Sequence, residues 1–529
     1  MLKRFFGKTF FILCGLAFAT SVQAETVFNR GNSGEPATLD PHKHSTVQES
    51  HISRDMWEGL VQYNAEGNVI PGSAESWTMS PDGKVYTFKI RTGAKWSNGE
   101  PLTAEDFVYS FRRMLDPKTA AQYASILYPV KNAEEVNAGK MKPEELAVRA
   151  LDAQTFEVTL RGPIPYFTEM LTHTAAFPVN RANLEKFGDD WVKPENIVSN
   201  GPYVVSEFVP KDRVVLVKNK NYYDAGKLKI DTVKYIPIED RATALKRFEA
   251  REIDSYDQFH HEQMEYIRTN LKGEFFTGPY LGTYYYAVNA TKAPFNNPTL
   301  RRALALAIDR EYLAEKIFTG SMIAGYSIVP PGIKGYTAAE YDFKDRLQLD
   351  REDEARKIME ELGYNKDKRL TLEIRYNTAE EHKACAVAVA DMWKNIYVDT
   401  KYINTDGKSH YEHLRNGGDY DVGRVGWIGD FKDPQTFLAT AQTGDSNNHS
   451  RYSNPKFDEL MLKAEQEMNA QKRFDDLSKA EKIAMDDAAY IVLVHYSYHN
   501  LVAKKVKGFE QNIMDVHPTK WMSIDSSRS

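Results

Sequence analysis

One carboxylate is singled out by its position. Asp430 falls just beyond a predicted strand near 420–427, at the carboxyl end where an α/β lobe presents its ligand contacts. A helix N-cap is the competing role, because Phe431-Lys432-Asp433-Pro434 begins a helix. Asp433 can cap just before Pro434, which leaves Asp430 free for a ligand. Other reactive-looking groups carry less. Ser453 and Lys456 match a bare Ser-x-x-Lys, but the companion Ser-Asp-Asn and Lys-Thr-Gly motifs are missing and Pro455 fits a helix start. His260-His261 lack a carboxylate or further histidine at metal spacing. Cys385 sits in an Ala/Val-rich helical pattern and reads as a small core residue. There is no Gly-x-x-x-x-Gly-Lys-Ser/Thr loop, no Gly-x-Gly-x-x-Gly fingerprint and no Gly-x-Ser-x-Gly elbow. The expectation is a protein with no catalysis, no metal and no cofactor of its own.

The elements that must position Asp430 follow from periodicity. Leu370, Leu372, Ile374 and Tyr376 alternate as a strand; Asp350 is expected to cap a helix ending at Leu362, where Gly363 stops it. A helix over 380–396, a strand near 398–403, a helix near 410–415 and the strand before Asp430 complete an alternation that predicts an α/β lobe with a largely parallel sheet. Strands and turns dominate 27–160. Val85 to Arg91 alternate after the turn Ser80-Pro81-Asp82-Gly83, and Thr103 is placed to cap a helix over 104–114 with Asp106 at its third position. Trp77, Tyr86, Phe88 and Trp96 are expected to form one apolar cluster, and Gly201 to serve a backbone need.

At 529 residues the chain can hold three or four domains and a large core. Its 42% hydrophobic and 27% charged residues exclude a disordered or collagen-like class, and a net charge of -6 argues against nucleic-acid binding. Lys3, Arg4 and Lys8 precede an apolar run from Phe10 to Ala19, followed by small residues up to Ala24. That is the pattern of a secretory signal peptide cut after Ala24; the run is too short to span a bilayer, which takes roughly 20 residues. Cys14 lies inside that run, preceded by Phe11-Ile12-Leu13, which does not suit lipid attachment. Cys385 is then the one cysteine of the mature chain, which excludes an intramolecular disulfide. The mature chain is expected not to span a membrane.

From Thr38-Leu39-Asp40-Pro41-His42 onward the chain resembles the periplasmic oligopeptide-binding proteins of ABC uptake systems, within the family 5 extracellular solute-binding proteins. The resemblance runs through Gly72 to Trp77, Gly83 to Phe88, Lys95 to Pro101, Thr103 to Phe107, Ser199 to Tyr203, Thr283 to Tyr286, Ala303 to Arg310 and Gly426 to Asp430, in order along essentially the whole mature chain. It implies a two-lobed, hinge-closing type II periplasmic binding fold of three domains. Domain I would comprise 25–57, 183–281 and 499–529, domain II 58–182 and domain III 282–498, with hinge crossings near Leu281–Gly282 and Tyr498–His499.

For the site, the resemblance implies that Asp430 pairs with the free α-amino group of a peptide. A carboxylate in a closed cleft must be compensated, and a bound ammonium does that. The peptide would lie as an added strand between main-chain groups of Ser45, Thr46 and Val47 and those of Gly426, Trp427 and Ile428. Tyr123 would touch its backbone, and Arg424, Arg415 and His382 would meet its carboxylate end. The implied partners are short peptides with a free amino terminus and an inner-membrane ABC permease; the implied state is a periplasmic monomer. Departures bear on side-chain preference. Positions joined by a disulfide in some relatives are Gly282 and Ile428 here, and Lys408, Phe318 and Ser497 stand where relatives carry a pocket Trp, a Lys and a Tyr. The same fold binding murein peptide, haem, a sugar, opine or nickel chelate is the alternative; an exported hydrolase or chaperone is a third reading that the missing nucleophile-base set opposes.

Overall fold

The computed structural model describes residues 25–525, so the leader segment and Cys14 lie outside the described residues. An 11-stranded sheet forms the spine of the molecule. In spatial order it runs Val398–Thr405, Leu370–Asn377, Val422–Ile428, Phe275–Val288, Ile491–Val502, Ser255–Tyr256, Val27–Asn32, Thr232–Pro237, Arg213–Lys218 and Tyr203–Val209, with Met322–Ala324 added beside Ile491–Val502. A separate antiparallel sheet orders Ala74–Met79, Val85–Ile90, Thr155–Thr159 and Val148–Asp152.

Apolar side chains collect in three clusters. One draws on Leu281 to Val494; a second draws on Phe28 to Trp57, Phe177 to Leu271 and Leu501 to Met522. The third takes Leu60 to Ala176 and a single distant residue, Phe431. In the four-stranded sheet the alternation places Tyr86, Phe88 and Ile90 inward, where Trp96 joins them and Trp77 packs at the margin. Thr103 and Asp106 form the expected capping box of the helix Ala104–Leu115. Gly201 answers to close approach: a Cβ there would sit 2.5–2.6 Å from the backbone of Met56 and Trp57.

Two expectations need correction. The helix expected to start at Asp350 runs Gln348–Glu361 with Leu347 at its N-cap, so Asp350 lies in its first turn, where its charge suits the helix dipole. The sheet around Asp430 is mixed. Leu370–Asn377 pairs in parallel with Val398–Thr405 and Val422–Ile428, but Val422–Ile428 then pairs antiparallel with Phe275–Val288, which pairs antiparallel with Ile491–Val502. The long strands that enter and leave this lobe run side by side in opposite directions, and only the helix-connected strands can be parallel. Their register slips where Pro279 faces Ser497 but Thr283 faces His495, so Tyr280, Leu281 and Gly282 lie opposite Tyr496 alone. Such irregularities bend and twist a ladder.

Candidate functional site

A cleft with an empty volume of about 1060 Å³, open solvent included, is lined by Ser45, Thr46, Val47, Tyr123, Ile428 and Asp430 among the residues expected from sequence. His44, His173, Tyr280 and Asp515 also line it. Three of them were missed because they lie in connections without periodicity and Tyr280 because it sits at the irregular part of the strand Phe275–Val288; all four are far apart in the chain.

Asp430 follows the strand Val422–Ile428, two residues past its end. Gly429 N–H donates to Leu281 O at 2.8 Å, and a Cβ on Gly429 would meet Leu281 at 2.7 Å, so this turn is pinned against the crossing strand. Asp433 takes the helix-capping role: its Oδ1 accepts from Gln435 N–H at 2.9 Å, and both its oxygens accept from Arg473 at 2.7 Å. Asp430 has no hydrogen-bond donor among the described residues, and burial alone raises its carboxyl to about 6. Its charge in turn raises the Tyr123 and Tyr280 hydroxyls, after burial, which places both rings in its field.

The main chain beside Asp430 is open on one edge. Residues opposite each other in an antiparallel ladder alternate, and Gly429 N–H points to Leu281, so Val425 and Trp427 face the Phe275–Val288 strand while Arg424, Gly426 and Ile428 face away. On that outer edge the pairing with the strand Leu370–Asn377 ends at Arg375–Gly423. His410 Nε2 bonds Arg424 O at 2.8 Å, which leaves Gly426 and Ile428 as the unpaired edge.

Across the cleft, Ser45, Thr46 and Val47 stand at a helix N-terminus. The helix Val47–Met56 is capped by Thr46, and the Glu49 carboxylate accepts from Ser45 N–H at 2.9 Å and Thr46 N–H at 3.0 Å. The Ser45 carbonyl and Val47 N–H remain without partners among the described residues, so this side offers fewer main-chain contacts than a strand would.

Arg424, Arg415 and His382 do not line the cleft around Asp430. Buried Arg424 lies 4.4 Å over the Tyr284 ring and donates to Tyr496 Oη at 2.7 Å and Tyr411 Oη at 3.0 Å. No carboxylate meets it among the described residues. His382 packs edge-on to the same Tyr284 ring at 5.5 Å. Arg415 is exposed at the end of the helix Gly407–Arg415, close enough to His449 to help depress that imidazole, whose burial is the main cause, to about 4. Gly426 is required here: a Cβ would sit 2.5 Å from Tyr496 Oη and 2.9 Å from Arg424 Nη2. Gly282 and Ile428 face each other in register, and the Ile428 side chain fills the space the glycine leaves. Phe318 is wholly buried against Tyr284, and Lys408 is exposed near Glu412. Buried Cys385 has its thiol pushed up to about 12 by burial. Among the described residues no group of three or more His, Cys, Asp or Glu is arranged to hold a metal, and no helix is long and apolar enough to cross a membrane.

Residues 68–449 match the description of the middle region of bacterial extracellular solute-binding proteins, family 5. The chain belongs to that family. Among its relatives, the periplasmic oligopeptide-binding protein OppA of Salmonella typhimurium is 40% identical over 91% of this chain and 89% of its own. The periplasmic murein peptide-binding protein MppA of Escherichia coli is 36% identical, over 94% of each chain. A solved structure of the murein tripeptide-binding protein MppA in its unliganded open form superposes with a TM-score of 0.86 at 36% identity, over 96% of this chain and 99% of that one. The two-lobed family 5 fold thus has its spine in the 11-stranded sheet, and the cleft lies where Asp430 leaves it.

Proposed function

We propose that this family 5 protein is a periplasmic substrate-binding protein that captures short peptides in a closing cleft, by their backbone and α-amino group, and delivers them to an inner-membrane ABC permease. The observation that carries the reading is Asp430: a carboxylate in the cleft wall with no partner among the described residues, beside an unpaired strand edge at Gly426 and Ile428. An α-ammonium compensates the first, and an extended peptide pairs with the second. Relatives named as peptide-binding proteins support the ligand class. Four strand steps of ~3.3 Å separate Ile428 from Arg424 by about 13 Å, so a peptide of about four residues paired along this edge brings its carboxylate end level with Arg424. Arg415 and His382 then assist at the carboxylate end, and Tyr123 touches the backbone near the amine.

The three apolar clusters support three domains, with domain I made of 25–57, 183–281 and 499–529, domain II of 58–182 and domain III of 282–498. The register slip at Tyr280 to Gly282 supports a hinge there. In this reading the exported chain loses residues 1–24, works as a periplasmic monomer and performs no catalysis. The similarity to MppA makes a murein peptide the second ligand reading.

The test is native mass spectrometry of the purified protein, with release and sequencing of what it carries, followed by calorimetry with Ala-Ala-Ala and its N-acetyl form. Binding of the free peptide and loss on acetylation are expected. Equal affinity for both overturns the amine anchor, and a single non-peptide mass with no tripeptide binding overturns the peptide reading.

A further inference from the structure

The walls of the cleft stand apart: Val47 and Ile428, which line it from opposite sides, are 54% and 39% exposed. One residue past Asp430 the two halves of the molecule are already in buried contact. Phe431 stacks on Tyr166 of the 58–182 segment, with ring centroids 5.4 Å apart and planes within 10°, and both side chains are buried. Arg473 lies 4.7 Å over the same Tyr166 ring and is fixed there by both oxygens of Asp433 at 2.7 Å. Between them, Lys432 Nζ donates to Gly67 O at 2.5 Å and to Asn68 Oδ1 at 3.1 Å.

These contacts prolong the strand crossing. Leu281 N–H donates to Ile513 O at 2.9 Å, and Leu281 O accepts from Gly429 N–H at 2.8 Å, so the crossing strand, the last chain segment and the turn before Asp430 form one bonded row. Past Phe431 and Arg473 the row reaches Met468, in the connection between the helices Pro455–Gln466 and Ala470–Asp486. A Cβ at Gly83 would stand 2.6 Å from Met468 Sδ, so this sulfur lies against the turn that ends at Gly83. At the outer margin Arg161 faces Glu465 at 3.9 Å. A contact made while the walls are apart is either broken when they close or turned about. Energy decides between the two. Parting the seam would wet one face of each ring, on the order of 150 Å² together, and would forfeit roughly several hundredfold in affinity for every ligand.

We propose that the seam of Phe431, Tyr166, Arg473 and Met468 is the pivot of cleft closure, a non-covalent hinge that extends the covalent one at Leu281, and that Asp430 rides on its axis. This rests on the closing-cleft reading and adds to it where the motion turns. A group on the axis keeps its neighbours, so the anchor for the ligand's amine has the same surroundings with the cleft open or closed. Displacement grows with distance from the axis, and the groups that sweep inward are those toward the Arg424 end of the strand. Tyr166 and Arg473 are then positioning residues: neither touches the ligand, and both hold the segment that does.

Distances between paired spin labels, with and without saturating Ala-Ala-Ala, test it on the full mature chain. Cys385 is wholly buried, so only introduced cysteines are labelled. Lys84→Cys with Lys472→Cys, both exposed, reports across the seam. Lys43→Cys with Glu412→Cys, also exposed, reports across the cleft: Lys43 lies two residues before the Ser45 wall, and Glu412 is next to Tyr411, whose hydroxyl meets Arg424. With peptide the cleft pair is expected to shorten by well over 2 Å while the seam pair stays within about 2 Å. A seam pair that lengthens makes the seam a latch that opens, and one that shortens by more than that makes it a second closing face; either overturns the pivot. An unchanged cleft pair in protein that calorimetry shows to be loaded with tripeptide overturns the pivot and leaves peptide binding standing. Failure of the unlabelled protein to bind the tripeptide overturns the reading on which the pivot rests.

Discussion

Asp430 carries its charge without help from the protein, and two consequences follow. The folded, empty protein holds this proton up to about pH 6, whereas an unfolded chain releases it near the ordinary value of 3.8. A raised carboxyl costs folding stability as pH rises through that window, and the cost persists at neutral pH. Asp430→Asn is therefore expected to make the empty protein more stable at pH 7, on the order of 1–3 kcal/mol, while weakening tripeptide binding more than tenfold. Denaturant melts and calorimetry measure the two, and a variant that is both less stable and tightly binding speaks against the assignment. Ammonium binding also demands the ionised form. At pH 6, titration with tripeptide is expected to release protons, seen as a binding enthalpy that varies with the buffer's ionisation heat, and affinity is expected to fall as pH drops below about 6.

At the scale of elements, close approaches set the positions of the strands that carry the site. Gly201 lets its segment cross the Met56–Trp57 backbone, and the missing Cβ is replaced by peptide atoms that cannot rotate away. Gly201→Ala is expected to cost about 2–3 kcal/mol in a denaturant melt, as an overpacked core position does. Gly282 and Ile428 form a directly opposed pair, so Gly282→Cys with Ile428→Cys is expected to crosslink on mild oxidation and lower the intact mass by about 2 Da. Three titratable thiols under denaturing conditions after oxidation, rather than the one of Cys385, contradict that register. Much at this scale was legible in the sequence. Thr103 with Asp106 marked a helix start, Leu370 to Tyr376 a strand, and Asp433-Pro434 a cap that released Asp430. The helix Val47–Met56 was missed although Thr46 and Glu49 carry the same cap spacing; what spacing does not record is that Glu49 also reaches back to the Ser45 N–H, so that this start is pinned as part of the cleft wall. Asp515 was not legible either, since it acquires meaning only from Tyr280 and Asp430, which are distant in sequence.

At the scale of the molecule, one side chain ties two of the apolar clusters together. Phe431, next to the anchor, stacks on Tyr166 at 5.4 Å and belongs to the cluster of Leu60 to Ala176, while Arg473 lies 4.7 Å over the same Tyr166 ring. Lys432 Nζ donates to Gly67 O beside it. Burial raises Glu169, in the same contact, to about 7, with Lys432 opposing the shift. Stability is therefore expected to fall as pH rises from about 4.5 to beyond 7, because the unfolded chain loses this proton first. Urea midpoints at pH 5 and pH 8 are expected to differ less in Glu169→Gln than in the unmodified protein, and equal differences contradict the reading. The order of strands in the long sheet has another consequence, for synthesis. Val27–Asn32 lies between Thr232–Pro237 and Ser255–Tyr256, and Ser255–Tyr256 is completed only by Leu501 and Val502. A chain that emerges amino end first must keep its earliest strand waiting, edge exposed, for more than two hundred residues, and cannot finish that layer until almost the last thirty have appeared. The first part made is among the last to be sheltered, and a nascent chain of this design has prolonged need of something to cover it.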